Sequence, residues 1–120
     1  MLQILTDAHV PLDVATAVRK LGKLHITPLK DWHSGKYLHE IDPRLLALAW
    51  EEHLTIVTYD VNSFPLFVRQ RLESGFDHAG MIYVSRRFRQ NDIGGIARGL
   101  VDLWRRSKND NWTNRIQFLD

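Results

Sequence analysis

Four β-branched residues in succession, Thr55-Ile56-Val57-Thr58, run straight into a polar turn led by a carboxylate, Tyr59-Asp60-Val61-Asn62-Ser63-Phe64. Side chains branched at Cβ suit a pleated surface, and an apolar-leaning run without alternation fits a central parallel strand covered on both faces. Helical patterns flank it in the sequence. A strand so placed belongs to an open α/β sheet, and Asp60 then stands at the carboxyl edge, where such sheets place their ligands.

The rest of the chain supplies neighbours for that strand. Leu2 to Thr6 reads as a first strand ending at Asp7. Pro11 opens a helix whose Val14, Ala15, Val18 and Leu21 share one face, with Gly22 as the stop. A second strand follows around His25 to Leu29. Residues 30–40 lack periodicity and form a loop carrying Trp32, His33, Lys36 and Tyr37. Asp42-Pro43 reads as a helix start, Asp as N-cap and Pro at the first helical position, and the buried stripe is Leu45, Leu46, Ala49, Trp50 and His53. Asn62-Ser63 caps a helix over about Phe64 to Glu73. Gly80 to Ser85 is a fourth strand. Asp92 caps the last helix, with Ile93, Ile96, Ala97, Leu100, Leu103 and Trp104 inward. Arg115 to Leu119 is a fifth, edge strand.

Three glycines inside that last helix, Gly94, Gly95 and Gly99, each cost about 1 kcal/mol relative to Ala, which close helix–sheet or helix–helix approach would explain. The β-α alternation predicts a three-layer α/β/α domain around a mostly parallel sheet of four to five strands, with right-handed crossovers.

At 120 residues the chain suffices for one core, so residues 1–120 are read as a single domain. It has no cysteine, which excludes disulfides and thiolate metal sites. No apolar run reaches the roughly 18–20 residues that span a bilayer, and Met1 to Leu5 lacks the order of a signal peptide. The expectation is a cytoplasmic protein without a membrane partner. Net charge is +2 and the pI about 9.2; this balance permits contact with nucleic acid without demanding it.

Three acids hold comparable positions. Asp7 ends the first strand, Asp60 ends the third, and Asp42 starts the helix leading to the third. Parallel strands bring Asp7 and Asp60 to one edge if the two strands are neighbours, and helix N-termini in βαβ units lie at that edge too. Crowded carboxylates repel unless a cation neutralises them, and hard oxygen ligands without cysteine favour Mg²⁺ or Mn²⁺ over zinc. Each acid also has an ordinary explanation. Capping accounts for Asp42 before Pro43, and Asp7 and Asp60 could be post-strand turn residues.

Leu5-Thr6-Asp7 with His9 and Pro11, Asp42 with Leu45 and Ala49, and Val57-Thr58-Tyr59-Asp60-Val61-Asn62-Ser63-Phe64 together resemble a PIN-like domain, closest to the short stand-alone PIN-like proteins. The fourth strand, Gly80-Met81-Ile82-Tyr83-Val84, fits as well. PIN domains are typically metal-dependent ribonucleases, many of them toxins of bacterial toxin–antitoxin pairs. The resemblance implies Asp7, Asp42 and Asp60 as catalytic Mg²⁺ ligands with Asn62 beside them, and in-line attack by water leaving a 5′-phosphate and a 3′-hydroxyl. Its implied partners are RNA, an antitoxin protein and a second copy of the chain. Two positions depart from the pattern. Ala8 stands where a second acid often follows the first, and Asn62 where a carboxylate often sits. A three-acid site should hold its metal more weakly, with one ion in place of two.

Arg86, Arg87 and Arg89 follow the fourth strand at the acidic edge, where guanidinium groups would clamp phosphates; a solvated turn is the plainer reading. His33 and Lys36, with Trp32 and Tyr37, could contact single-stranded bases or pack on the domain. His9 is placed to carry a proton or to bond the turn backbone. Arg105, Arg106 and Lys108 complement a helix dipole. His25, His39, His53 and His78 show no ligand spacing.

Three functions compete on this reading. A Mg²⁺-dependent ribonuclease leads. A non-catalytic PIN-like module binding RNA or protein is kept open by Ala8 and Asn62. A receiver-like phosphoacceptor domain lacks the acidic pair at the first strand. A dinucleotide-binding enzyme is disfavoured because no glycine-rich turn follows that strand.

Overall fold

The computed structural model describes residues 1–120. Its strands are β1 (Gln3–Thr6), β2 (His25–Pro28), β3 (Thr55–Thr58), β4 (Met81–Val84) and β5 (Ile116–Leu119). Its helices are α1 (Leu12–Leu21), α2 (Asp42–Glu51), α3 (Phe64–Glu73) and α4 (Ile93–Ser107), with a short 3₁₀ turn at Trp32–Gly35. All five strands are parallel, in the order β2-β1-β3-β4-β5. This is the α/β architecture expected from the alternation of elements.

Alternation along the strands builds two cores. Ile4 and Val57 pack with α1 and α4 on one face, while Leu5, Ile56, Met81 and Tyr83 pack with α2 and α3 on the other. All four residues of β3 are buried, as its unbroken β-branched run requires. The two threonines are tolerated there because their hydroxyls are bonded: Thr55 donates to the carbonyl of Ala79 at 2.8 Å and Thr58 to a carboxylate at 2.6 Å. Pro28 lacks an amide hydrogen and lies on β2, an edge strand, where none is needed.

Strand order decides where the acids meet. From β1 the chain crosses outward to β2, then returns past β1 to β3, so β1 and β3 are neighbours whose outgoing connections diverge. In open α/β sheets the crevice at that divergence is the usual ligand site.

Local details differ from expectation. Asp42 is the first residue of α2 and Ile41 holds the cap position, with no side-chain capping bond. Leu21 is 44% exposed. His53 is exposed beyond the end of α2, in the left-handed region at φ 57°. The final helix meets the expectation of close approach at Gly99, where a Cβ would come within 3.0 Å of the Leu119 side chain on β5.

Candidate functional site

Asp7 leaves β1 with its amide still bonded to the Val57 carbonyl of β3 at 3.0 Å. Its carboxylate is held from two sides: Oδ1 accepts the His9 amide at 3.0 Å and Oδ2 accepts the Thr58 hydroxyl at 2.6 Å. The same Thr58 oxygen accepts the Asp60 amide at 3.0 Å. One buried hydroxyl therefore ties the ends of the two central strands together and fixes Asp7 relative to Asp60. A Thr two residues before an acid is a local side-chain-to-backbone turn signal. The sequence contained it at Thr58-Tyr59-Asp60, but its link to Asp7 needed the strand pairing.

Asp60 closes the turn into α3. Its Oδ1 accepts the amides of Asn62 at 3.0 Å and Ser63 at 2.8 Å, an Asx turn just ahead of that helix. The expected capping by Asn62-Ser63 is not made: Ser63 holds the cap position without a side-chain bond, and Asp60 instead fixes the turn that leads into the helix. The turn explains one oxygen of Asp60; Oδ2 has no protein partner.

Asp42 is half-buried at the first turn of α2, and its carboxylate accepts no hydrogen bond from the chain. Capping, the ordinary explanation for this residue, does not account for it. Burial holds its carboxyl above the usual carboxylate range, and the negative charges of Asp7 and Asp60 push it further in the same direction, opposed by His9. Asp7, Asp42 and Asp60 are thus within electrostatic reach of one another. Repulsion acts over longer distances than coordination, and no three acidic or histidine side chains are gathered into one ligand group. The three acids offer oxygen donors and a net negative charge that His9 offsets only in part, a chemistry that fits Mg²⁺ or Mn²⁺ better than zinc.

Beside Asp60, on the β4 side, lies a cleft of about 310 Å³ between the β3–α3 turn and the β4–α4 loop. Asn62 and Arg86 line it, so Asn62 faces the cleft from the turn that carries Asp60. Arg86, Arg87 and Arg89 are all exposed, and none makes an ion pair. Tyr59 joins the two walls by donating its hydroxyl to the Gln90 carbonyl at 3.1 Å. Tyr83 on β4 is 1% exposed, its hydroxyl has no partner, and burial followed by the Asp60 charge pushes it up to about 12.

His33 lies elsewhere. Its Nε2 is 2.5 Å from Glu52, the residue that follows α2, while Asp42 begins that helix. Ten helical residues, about 15 Å, separate the two ends. Lys36 belongs to the turn around His33, with its ammonium 5.3 Å from the centre of the Tyr37 ring. Trp32 is buried and donates its indole N–H to Glu52, so this aromatic loop packs on the domain. Of the residues read as nucleic-acid contacts, Arg86 lines the cleft beside Asp60, Arg87 and Arg89 follow it in the same loop, and His33 and Lys36 lie away from the acids. No family model, curated protein or solved structure matches the chain.

Proposed function

We propose that the chain is a PIN-like, divalent-metal-dependent ribonuclease acting at the β1/β3 edge. The observation that carries this reading is the state of Asp42: half-buried, without a hydrogen-bond donor, and raised in pKa by burial and by Asp7 and Asp60 together. An acid placed in such surroundings is a functional-site candidate, since a purely structural carboxylate is normally paired.

In this reading Asp7, Asp42 and Asp60 are the residues that would hold the ion. Mg²⁺ bound there would supply a Lewis acid for the phosphodiester and a water of lowered pKa. Thr58 keeps Asp7 and Asp60 in register. Arg86, Arg87 and Arg89 neutralise substrate phosphates, and the absence of competing ion pairs leaves them available. RNA is the substrate class, and an antitoxin protein or a second copy of the chain is the protein partner such a toxin would take.

Cleavage of a labelled RNA by the purified protein, with Mg²⁺ and with a chelator, tests this. Asp60→Asn is the informative variant, because Asn keeps the carbonyl oxygen that receives the Asn62 and Ser63 amides. The expected result is Mg²⁺-dependent cleavage that falls by about 100-fold or more in the variant, the scale on which lost transition-state electrostatics acts. Cleavage indifferent to chelator and to Asp60→Asn contradicts the reading.

A specific observation favours a second reading, the non-catalytic RNA- or protein-binding module. Asn62 lines the neighbouring cleft, and no closed group of acidic or histidine ligands exists. Mg²⁺ binding without cleavage would select it. The strand order is also that of flavodoxin-like folds, receiver domains included, and fold alone does not fix function. Incubation with a small phosphodonor is therefore a necessary control, with no aspartyl phosphate expected.

A further inference from the structure

The cleft next to Asp60 has a composition that metal chemistry does not require. Tyr59 and Phe88 contribute aromatic rings that are half-buried and packed against the α1/α4 core, which makes them fixed platforms. Buried Val84 gives it an apolar floor. At the rim stand two neutral amides, Asn62 and Gln90, and the Arg86 guanidinium. None of these three side chains bonds to another protein group, whereas the Gln90 backbone is fixed by Tyr59. No carboxylate lines the cleft itself, and Arg86 is the charged side chain on its wall.

Flat aromatic surface, amides offering both donors and acceptors, and one free guanidinium correspond to the three parts of a nucleotide. Bases stack on aromatic rings, amide side chains pair with base edges, and arginine binds phosphate. A volume of about 310 Å³ lies at the lower end of the roughly 300–1,000 Å³ typical of ligand sites. It suits one nucleotide unit and excludes a duplex. A base can present its face to Tyr59 or Phe88 only when it has left a helical stack.

We infer that this cleft is a base-binding subsite: it takes a single unstacked nucleobase of single-stranded RNA, with the attached phosphate on Arg86, and so sets which linkage reaches the acids. The inference rests on the nuclease reading for its link to cleavage, but its ligand is testable apart from that reading.

The test is equilibrium binding of AMP and UMP, compared with ribose 5-phosphate, to the metal-free wild-type protein by NMR titration. The expected result is that at least one mononucleotide binds about tenfold or more tightly than ribose 5-phosphate, from the stacking contribution of one base. Shifts should centre on Tyr59, Phe88 and Gln90. Gln90→Ala, an exposed change, should weaken mononucleotide binding several-fold and leave ribose 5-phosphate unchanged; Phe88→Leu should do the same while filling the core.

Equal affinity for mononucleotides and ribose 5-phosphate overturns the inference. So does absence of binding, or shifts located away from the cleft. Mg²⁺-dependent RNA cleavage without base-dependent binding removes the subsite and keeps the nuclease. Base-dependent binding without cleavage keeps the subsite and removes the nuclease.

Discussion

At the β1/β3 edge, Thr58 is the residue on which the geometry turns. It is fully buried, donates to Asp7 and accepts from the Asp60 amide. Thr58→Val preserves shape and removes both bonds, leaving a carboxylate oxygen and an amide short of a partner. Unfolding in urea should show a loss of about 1–3 kcal/mol, the penalty for a buried polar group left unsatisfied, and any RNA cleavage should fall with it. Asp42 predicts a change of opposite sign. Its carboxyl is raised on folding, so the folded chain binds more protons in the window just above the usual carboxylate range, and stability falls as pH rises through that window. At neutral pH without metal the ionised group disfavours the fold, and Asp42→Asn should raise Tm. Mg²⁺ at about 100 times its Kd should stabilise the wild type by about 2.7 kcal/mol and the variant by less, which thermal melts in paired buffers will read.

Whole elements were readable where a local rule is strong. The bounds of α3, Phe64–Glu73, follow from its turn signals, and β3 follows from its β-branched run. The ends of α2 were not. Asp-Pro fits the cap and first position as well as the first two helical positions, and the chain takes the second, with Ile41 extended before them. At the other end, helical spacing alone places His53 in the buried stripe. In the fold, the Leu54 amide reaches the Ala49 carbonyl at 2.9 Å and the His53 amide the Trp50 carbonyl at 3.1 Å. These are the two bonds of a Schellman C-cap, with His53 in the left-handed position that glycine usually fills. Histidine carries no such signal in sequence. His53→Gly should therefore stabilise the protein, by roughly 0.5–1 kcal/mol once the greater freedom of the unfolded chain is allowed for. An unchanged or lowered urea midpoint would contradict this.

For the molecule as a whole, the layered α/β plan was legible because alternating patterns leave few alternatives. The strand order was not, since pairing partners far apart in the chain leave no local trace. It was the placement of β1 beside β3 that made neighbours of Asp7 and Asp60. Stability should also respond to pH as a global property. His78 is buried, its Nδ1 accepts the Gly80 amide, and burial followed by Arg71 lowers its pKa, with Asp77 opposing. The unfolded chain then takes up a proton first as pH falls below the ordinary 6.5, so stability drops on that limb. Tyr83 acts at the other end: the unfolded chain ionises near 10 while the buried hydroxyl holds to about 12, and stability falls between them. Tm measured across pH should form a dome, with the acid limb reduced in His78→Gln; Asp42 contributes oppositely and only nearer the carboxylate range. The central claim, that three distant aspartates serve one divalent ion, is met most directly by titrating Mn²⁺ into isotope-labelled protein and mapping paramagnetic broadening of amide signals. Broadening centred on Asp7, Asp42 and Asp60, and lost in Asp42→Asn, is the predicted result; broadening elsewhere, or the same pattern in the variant, would contradict it.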